Sequence, residues 1–129
     1  MNMKASIHPA SLKPAQLTVT MDAIRAYGEL SNDFNPIHVD PEFAATTPMG
    51  GVIAHGTLSL CLLWQAVQHS FSAEVFNDLD LDVRFVKPVR VGDVLTAGGE
   101  RQPDGSYAVW VRGPAGDDRI VGQIQLNDE

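Results

Sequence analysis

Apolar residues recur at two periods along this chain, and the change of period divides it. Residues 16–20 read as a short strand, after which Thr20 has the chemistry of a helix N-cap, with Asp22 placed favourably in the first turn. Ile24, Tyr27 and Leu30 follow at helical spacing, and Arg25 and Glu29 form an i, i+4 pair on another face. The helix is predicted to end near Ser31: Asn32 suits the left-handed conformation that closes helices, and Pro36 stops continuation. Asp40 before Pro41 predicts a second start, a short turn through Phe43 and Ala45. Beyond the break at Pro48, Gly50 and Gly51, residues 57–71 carry Leu58, Leu60, Leu62, Leu63, Trp64, Ala66, Val67 and Phe71 on nearly every face. Such a helix is expected inside the fold, and at about 1.5 Å per residue it spans roughly 22 Å.

The second half alternates. Leu79, Leu81, Val83 and Phe85 interleave with Asp78, Asp80, Asp82 and Arg84, a half-buried strand ended by Pro88. Val91, Gly92 and Asp93 make a turn, and residues 94–101, 106–113 and 119–126 are predicted strands joined by turns around Gly105 and Gly116. Helices first and an antiparallel meander after predict a single α+β domain, residues 1–129, whose sheet wraps the long apolar helix.

Composition narrows the partners. The 129 residues are 44% hydrophobic and 19% charged, enough for one core. Nine basic against sixteen acidic side chains give a net charge of −7, which opposes binding to nucleic acid and to anionic membranes. Cys61, the sole cysteine, lies among leucines and is expected to be a buried, inert thiol. Met1 to Pro9 shows no apolar run of secretory length, and Gln65, Gln68 and His69 interrupt the best candidate for a membrane span. A cytoplasmic protein is the expectation.

Chemistry concentrates in the run from Ser31 to Pro41. Asp33, Asn35, Pro36 and His38 put a carboxylate, an amide and an imidazole in one loop. Asn, Asp and Pro are ordinary turn formers, but His38 does no turn work and lies five residues from Asp33, so that a tight loop can aim both at one water. Asn35 has no useful acid–base chemistry and is read as holding the loop. His38, Asp40 and His55 resemble a two-histidine, one-carboxylate metal set, yet capping accounts for Asp40 and no metal is expected. His55 and Gly56 stand just before the apolar helix, whose free N–H groups can accept developing negative charge while Gly56 admits a ligand closely. Ser59, one turn in, either meets substrate or bonds back to the helix. His8 and His69 are incidental. Arg84, Lys87 and Arg90 are either a solvated strand end or a catcher of phosphates.

The residues from Leu30 to His38, together with Ile53, Ala54, His55 and Gly56, resemble the MaoC-like hydratases, the R-specific enoyl-CoA hydratases, over about residues 23–92. Val86 to Asp93 is similar to that family's strand-and-turn element. The resemblance implies a hotdog fold, usually as a homodimer, with an acyl-CoA thioester as substrate and no separate cofactor. It implies reversible addition of water to a trans-2-enoyl-CoA to give the (3R)-3-hydroxyacyl-CoA. Asp33 and His38 would be the catalytic pair, Asn35 a loop support, and the Gly56 N–H part of an oxyanion hole. Trp64 stands where some members have a small hydroxyl residue, which implies a short or unusual acyl group. Hotdog thioesterases are the nearest enzymatic alternative, but residues 57–70 contain no Asp or Glu of the kind many of them use. A non-catalytic acyl-CoA-binding subunit is the other.

Overall fold

Strand β1 (Ala15–Thr18) leads into helix α1 (Met21–Ser31), then two short helices, α2 (Pro36–Val39) and α3 (Pro41–Ala45). The long helix α4 (Gly56–Ser70) and a short α5 (Ala73–Phe76) precede strands β2 (Leu79–Phe85), β3 (Val94–Arg101), β4 (Tyr107–Arg112) and β5 (Asp118–Leu126). This computed structural model describes residues 8–127, so Met1 to Ile7, part of the start read as lacking a secretory signal, lie outside the described residues. All pairings are antiparallel and the order is β1-β3-β4-β5-β2, which leaves β2 with one open edge. Among the described residues no helix is long and apolar enough to cross a membrane.

Several local signals act as their chemistry predicts. The Thr20 hydroxyl accepts from the Ala23 N–H at 3.0 Å, and Asn32 closes α1 at φ 55°. The Asp40 carboxylate accepts from the N–H groups of Glu42 and Phe43 as the cap of α3. Pro36 departs from expectation. It begins α2 rather than merely ending α1, because Asn35 caps that helix through Ile37 N–H and proline suits a first helical position. Arg25 and Glu29 are not among the ion pairs of the described residues.

The apolar faces differ from expectation in three places, one of them Phe85, which continues the alternation of Leu79, Leu81 and Val83 but is 55% exposed. Leu30 is 83% exposed, because three residues advance about 300° around a helix and Leu30 is turned some 120° from buried Ile24; Gly28 takes the inward position instead. Helix α4 presents Leu62, Leu63, Ala66 and Val67 to the sheet, where they meet Leu95, Ala97, Val109 and Val111. Its other side, Thr57, Cys61, Gln65 and Gln68, is exposed, so the helix is covered on one side and Cys61 is not buried.

Candidate active site

Gly28 is the pivot of the first wall. The Asp33 N–H donates to the Gly28 carbonyl at 3.0 Å, and a Cβ on Gly28 would lie 3.1 Å from the Asp33 carbonyl oxygen. That close approach folds the chain back from α1 so that Asp33 begins a tight loop. Its carboxylate accepts the Asn35 N–H at 3.2 Å, Asn35 caps α2, and α2 carries His38 half-buried toward residues 52–55.

Residues 52–55 are clamped from both sides. Ile53 N–H donates to the Ile37 carbonyl at 3.2 Å, and Ala54 N–H to the Val89 carbonyl at 2.8 Å. His38 Nδ1 lies 2.7 Å from the Ile53 carbonyl. A carbonyl only accepts, so Nδ1 carries the proton there, and Nε2 is left as the nitrogen able to exchange one. His55 Nε2 donates in the same way to the Asp33 carbonyl at 2.9 Å. The ligand atoms of Asp33, His38 and His55 all lie within 4.8 Å of one another.

Three such side chains raise the question of a metal, and the ring geometry answers it. The His38 and His55 rings are stacked, with centroids 4.0 Å apart and planes 29° from parallel. Lone pairs lie in the ring planes, and planes so nearly parallel do not converge at the roughly 2.0–2.1 Å of a metal–nitrogen bond. The arrangement suits proton transfer better than ligation.

A cavity of about 300 Å³ opens between the N-terminus of α4 and the segment after β2, lined among others by His38, Gly56, Ser59, Phe85 and Val86. The Phe85 ring approaches Gly56 so closely that a Cβ there would stand 3.2 Å from it. Gly56 is the first residue of α4, so its N–H has no partner within the helix and sits at the positive end of the helix dipole. The Ser59 hydroxyl is buried without a hydrogen-bond partner. A groove of about 370 Å³ on the β2–β5 edge holds Arg84 with Asp82 and Gln123, and brings no acid–base pair together.

The basic cluster therefore divides. Lys87 lines the cavity and pairs with Asp117 at 3.2 Å, Arg90 lies beside Gly51, and Arg84 faces the other groove. Trp64 packs edge-on against Phe76, with centroids 5.6 Å apart, and is not among the residues lining the cavity. Arg119, unremarked in the sequence, reaches that cavity from β5. Burial works against its charge, but hydrogen bonds to Asp117 and Asp93 outweigh this and raise its pKa. It also donates to the Pro88 carbonyl at 3.1 Å, tying the cavity wall to the turn at Asp93. Its sequence signal is faint, since a cation beside two aspartates at a strand start looks solvated.

A carboxylate and two imidazoles gathered near a helix N-terminus, on a five-stranded sheet that half-wraps a long helix, define a hotdog domain with a candidate acid–base site. The MaoC-like domain model matches residues 4–109, and the chain belongs to that family. It is 39% identical over 74 residues to an (R)-specific enoyl-CoA hydratase of Aeromonas caviae, covering 57% of this chain and 55% of the relative. To a 3-hydroxyacyl-thioester dehydratase of Mycobacterium tuberculosis it is 36% identical over 86 residues, 63% of this chain and 56% of that one. The matches thus span little more than half the length of these relatives. The solved (R)-hydratase from A. caviae involved in PHA biosynthesis superposes with a TM-score of 0.71 at 28% identity, over 89% of this chain and 95% of that one. The ChsH1-ChsH2 complex of M. tuberculosis, at 19% identity and a TM-score of 0.74, shares the fold over 91% of this chain and 94% of that one.

Proposed function

We propose that this protein is a hydro-lyase that adds water reversibly to trans-2-enoyl-CoA thioesters, giving (3R)-3-hydroxyacyl-CoA. The observation that carries the proposal is the clustering of the Asp33 carboxylate with the His38 and His55 rings, their ligand atoms within 4.8 Å of one another, where His38 lines the cavity at the N-terminus of α4 and Asp33 stands exposed beside it rather than in its lining. The named relatives, two hydratases or dehydratases of acyl thioesters, support it.

Asp33 and His38 Nε2 both offer acceptors to the two hydrogens of one water, leaving a lone pair on its oxygen for C3 of the enoyl group. As the oxygen attacks, one of the pair takes a proton and negative charge moves onto the thioester oxygen. The Gly56 N–H and the α4 dipole face that charge, and preorganised donors of this kind typically contribute about 10²–10³-fold. The proton then passes to C2. A cavity of about 300 Å³ must also admit part of the thioester arm, which favours a short acyl group. Lys87, which lines the cavity, and Arg90, beside Gly51, are proposed to meet the CoA phosphates. The open edge of β2 and exposed Phe85 support a homodimer.

Crotonyl-CoA tests the reaction when enoyl absorbance and free thiol are followed together. Hydration removes the absorbance and releases no thiol. Thiol release would show hydrolysis instead, and loss of neither signal would show a binding module. Asp33→Asn and His38→Ala should each lower hydration by about 10²-fold or more, and near-wild-type rates in both would defeat the site assignment. A series of enoyl chain lengths tests the short-acyl reading, which a preference for long chains would remove.

A further inference from the structure

His55 is 2% exposed and holds three neighbours at once. Its Nε2–H donates to the Asp33 main-chain carbonyl at 2.9 Å, and one face of its ring lies 4.0 Å from the His38 ring. The Tyr27 ring meets it edge-on at 5.1 Å, and the Tyr27 hydroxyl is fixed in turn by a 2.7 Å hydrogen bond to Thr57 Oγ1 at the start of α4. On the far side there is Gly28, where a Cβ would approach the His55 Cε1 to 3.7 Å. With Nε2 committed as donor, Nδ1 keeps a lone pair that faces no partner.

Unlike His38 Nε2, the remaining His55 nitrogen is buried, and His55 is not among the residues lining the cavity, so it has no route to a reacting atom. What it touches is the backbone beneath Asp33 and the ring face of His38. We infer that His55 is the positioning residue of this site, one side chain that sets both groups handling the water. The hydrogen bond fixes where the Asp33 carboxylate starts from, and the stack fixes the plane in which His38 presents Nε2. The kinetic consequence rests on the enoyl-CoA reading, whereas the structural one does not.

Two substitutions separate the contacts. His55→Gln keeps an N–H able to reach the Asp33 carbonyl and loses the ring, while His55→Phe keeps the flat face and loses the donor. Each is expected to lower kcat on crotonyl-CoA by about 10-fold or more, since a misplacement of about 1 Å can reach 10²-fold, with KM moving by less than about 3-fold. The His38 Cε1–H proton resonance is the second readout. It is shielded by the stacked ring, so it should move downfield in His55→Gln and stay near the wild-type position in His55→Phe. An unmoved His38 resonance in folded His55→Gln overturns the inference, as does a kcat within about 2-fold of wild type in both folded variants. Should wild-type protein hydrate no enoyl-CoA, the hydratase reading fails by itself, and the resonance still decides where His55 holds His38. Should His55→Gln not fold, the kcat of His55→Phe decides.

Discussion

Gly28→Ala sets a gain in helix stability against a small displacement of the site, and the structure supplies both magnitudes. Gly28 lies inside α1, where alanine is favoured over glycine by about 0.8–1.0 kcal/mol. The added Cβ, however, would stand 3.1 Å from the Asp33 carbonyl oxygen, a few tenths of an ångström too close. That oxygen is main chain and cannot swing aside like a side-chain tip. It must retreat against the His55 donor at 2.9 Å and the bond from Asp33 N–H to the Gly28 carbonyl at 3.0 Å. Such bonds are each worth about 0.5–1.5 kcal/mol net, so weakening both offsets most of the helical gain. The expected net change in stability is within about 1 kcal/mol of zero, or roughly 4 °C in Tm for a domain this size. Activity has no such compensation. A shift of a few tenths of an ångström at Asp33 is expected to lower kcat/KM for crotonyl-CoA hydration by about 3- to 10-fold, scaled from about 10²-fold for 1 Å. Denaturant unfolding and steady-state hydration on one preparation make the test. A variant about 1 kcal/mol more stable with full activity would refute the reasoning, since the loop would then have yielded without consequence.

Packing and charge set the expected behaviour of four further variants. Leu63→Ala, at a fully buried position on α4, should lower unfolding stability by about 2–5 kcal/mol in denaturant titrations, while Cys61→Ser on the exposed side should stay within about 0.5 kcal/mol. Ser59→Ala removes a buried hydroxyl that has no partner in the free protein, so stability should be unchanged or raised by up to about 1 kcal/mol, and a clear loss on thermal melting would show a missed hydrogen bond. The Asp117 carboxyl is held down to about 2, from an ordinary 3.8, by hydrogen bonds from Arg119 first and then Lys87. A depressed carboxylate stabilises the fold above its unfolded pKa and ceases to as pH falls through its folded one, so this contribution should fade between about pH 4 and pH 2, and Asp117→Asn should flatten that part of the stability profile.

Where backbone chemistry is local, the sequence carried it. Thr20, Asn32 and Asp40 each act through a side chain or dihedral that needs no distant partner, and the alternation from Leu79 to Val83 is that of one half-buried face. Asn35 and Pro36 carry the same cap-and-proline signal as Asp40 and Pro41, which is why α2 begins there. Leu30 and Cys61 are exposed against expectation for another reason. Hydrophobicity says that a residue can be buried, while burial depends on which side of a helix the rest of the fold covers, and for Cys61 that is settled by strand residues such as Leu95 and Val109, more than 30 positions away. Arg119 is illegible on the same ground, since its partners Asp93 and Pro88 are distant in sequence.

The site divides along this line too. Asp33, Asn35 and His38 stand together because five residues and a proline leave them little choice, and so they were legible. Their orientation comes from elsewhere. Gly28 supplies the close approach from α1, and Ile53 and Ala54 supply the clamp from a segment itself bonded to Val89. Gly56 follows that clamped segment directly, so the donors of α4 and the His38 ring are referred to the same stretch of backbone. A change in the 52–55 segment should therefore disturb the acid–base pair and the oxyanion donor together, whereas a change at Asn35 should reach chiefly the pair. That coupling arises from tertiary hydrogen bonds, which no run of neighbouring residues encodes.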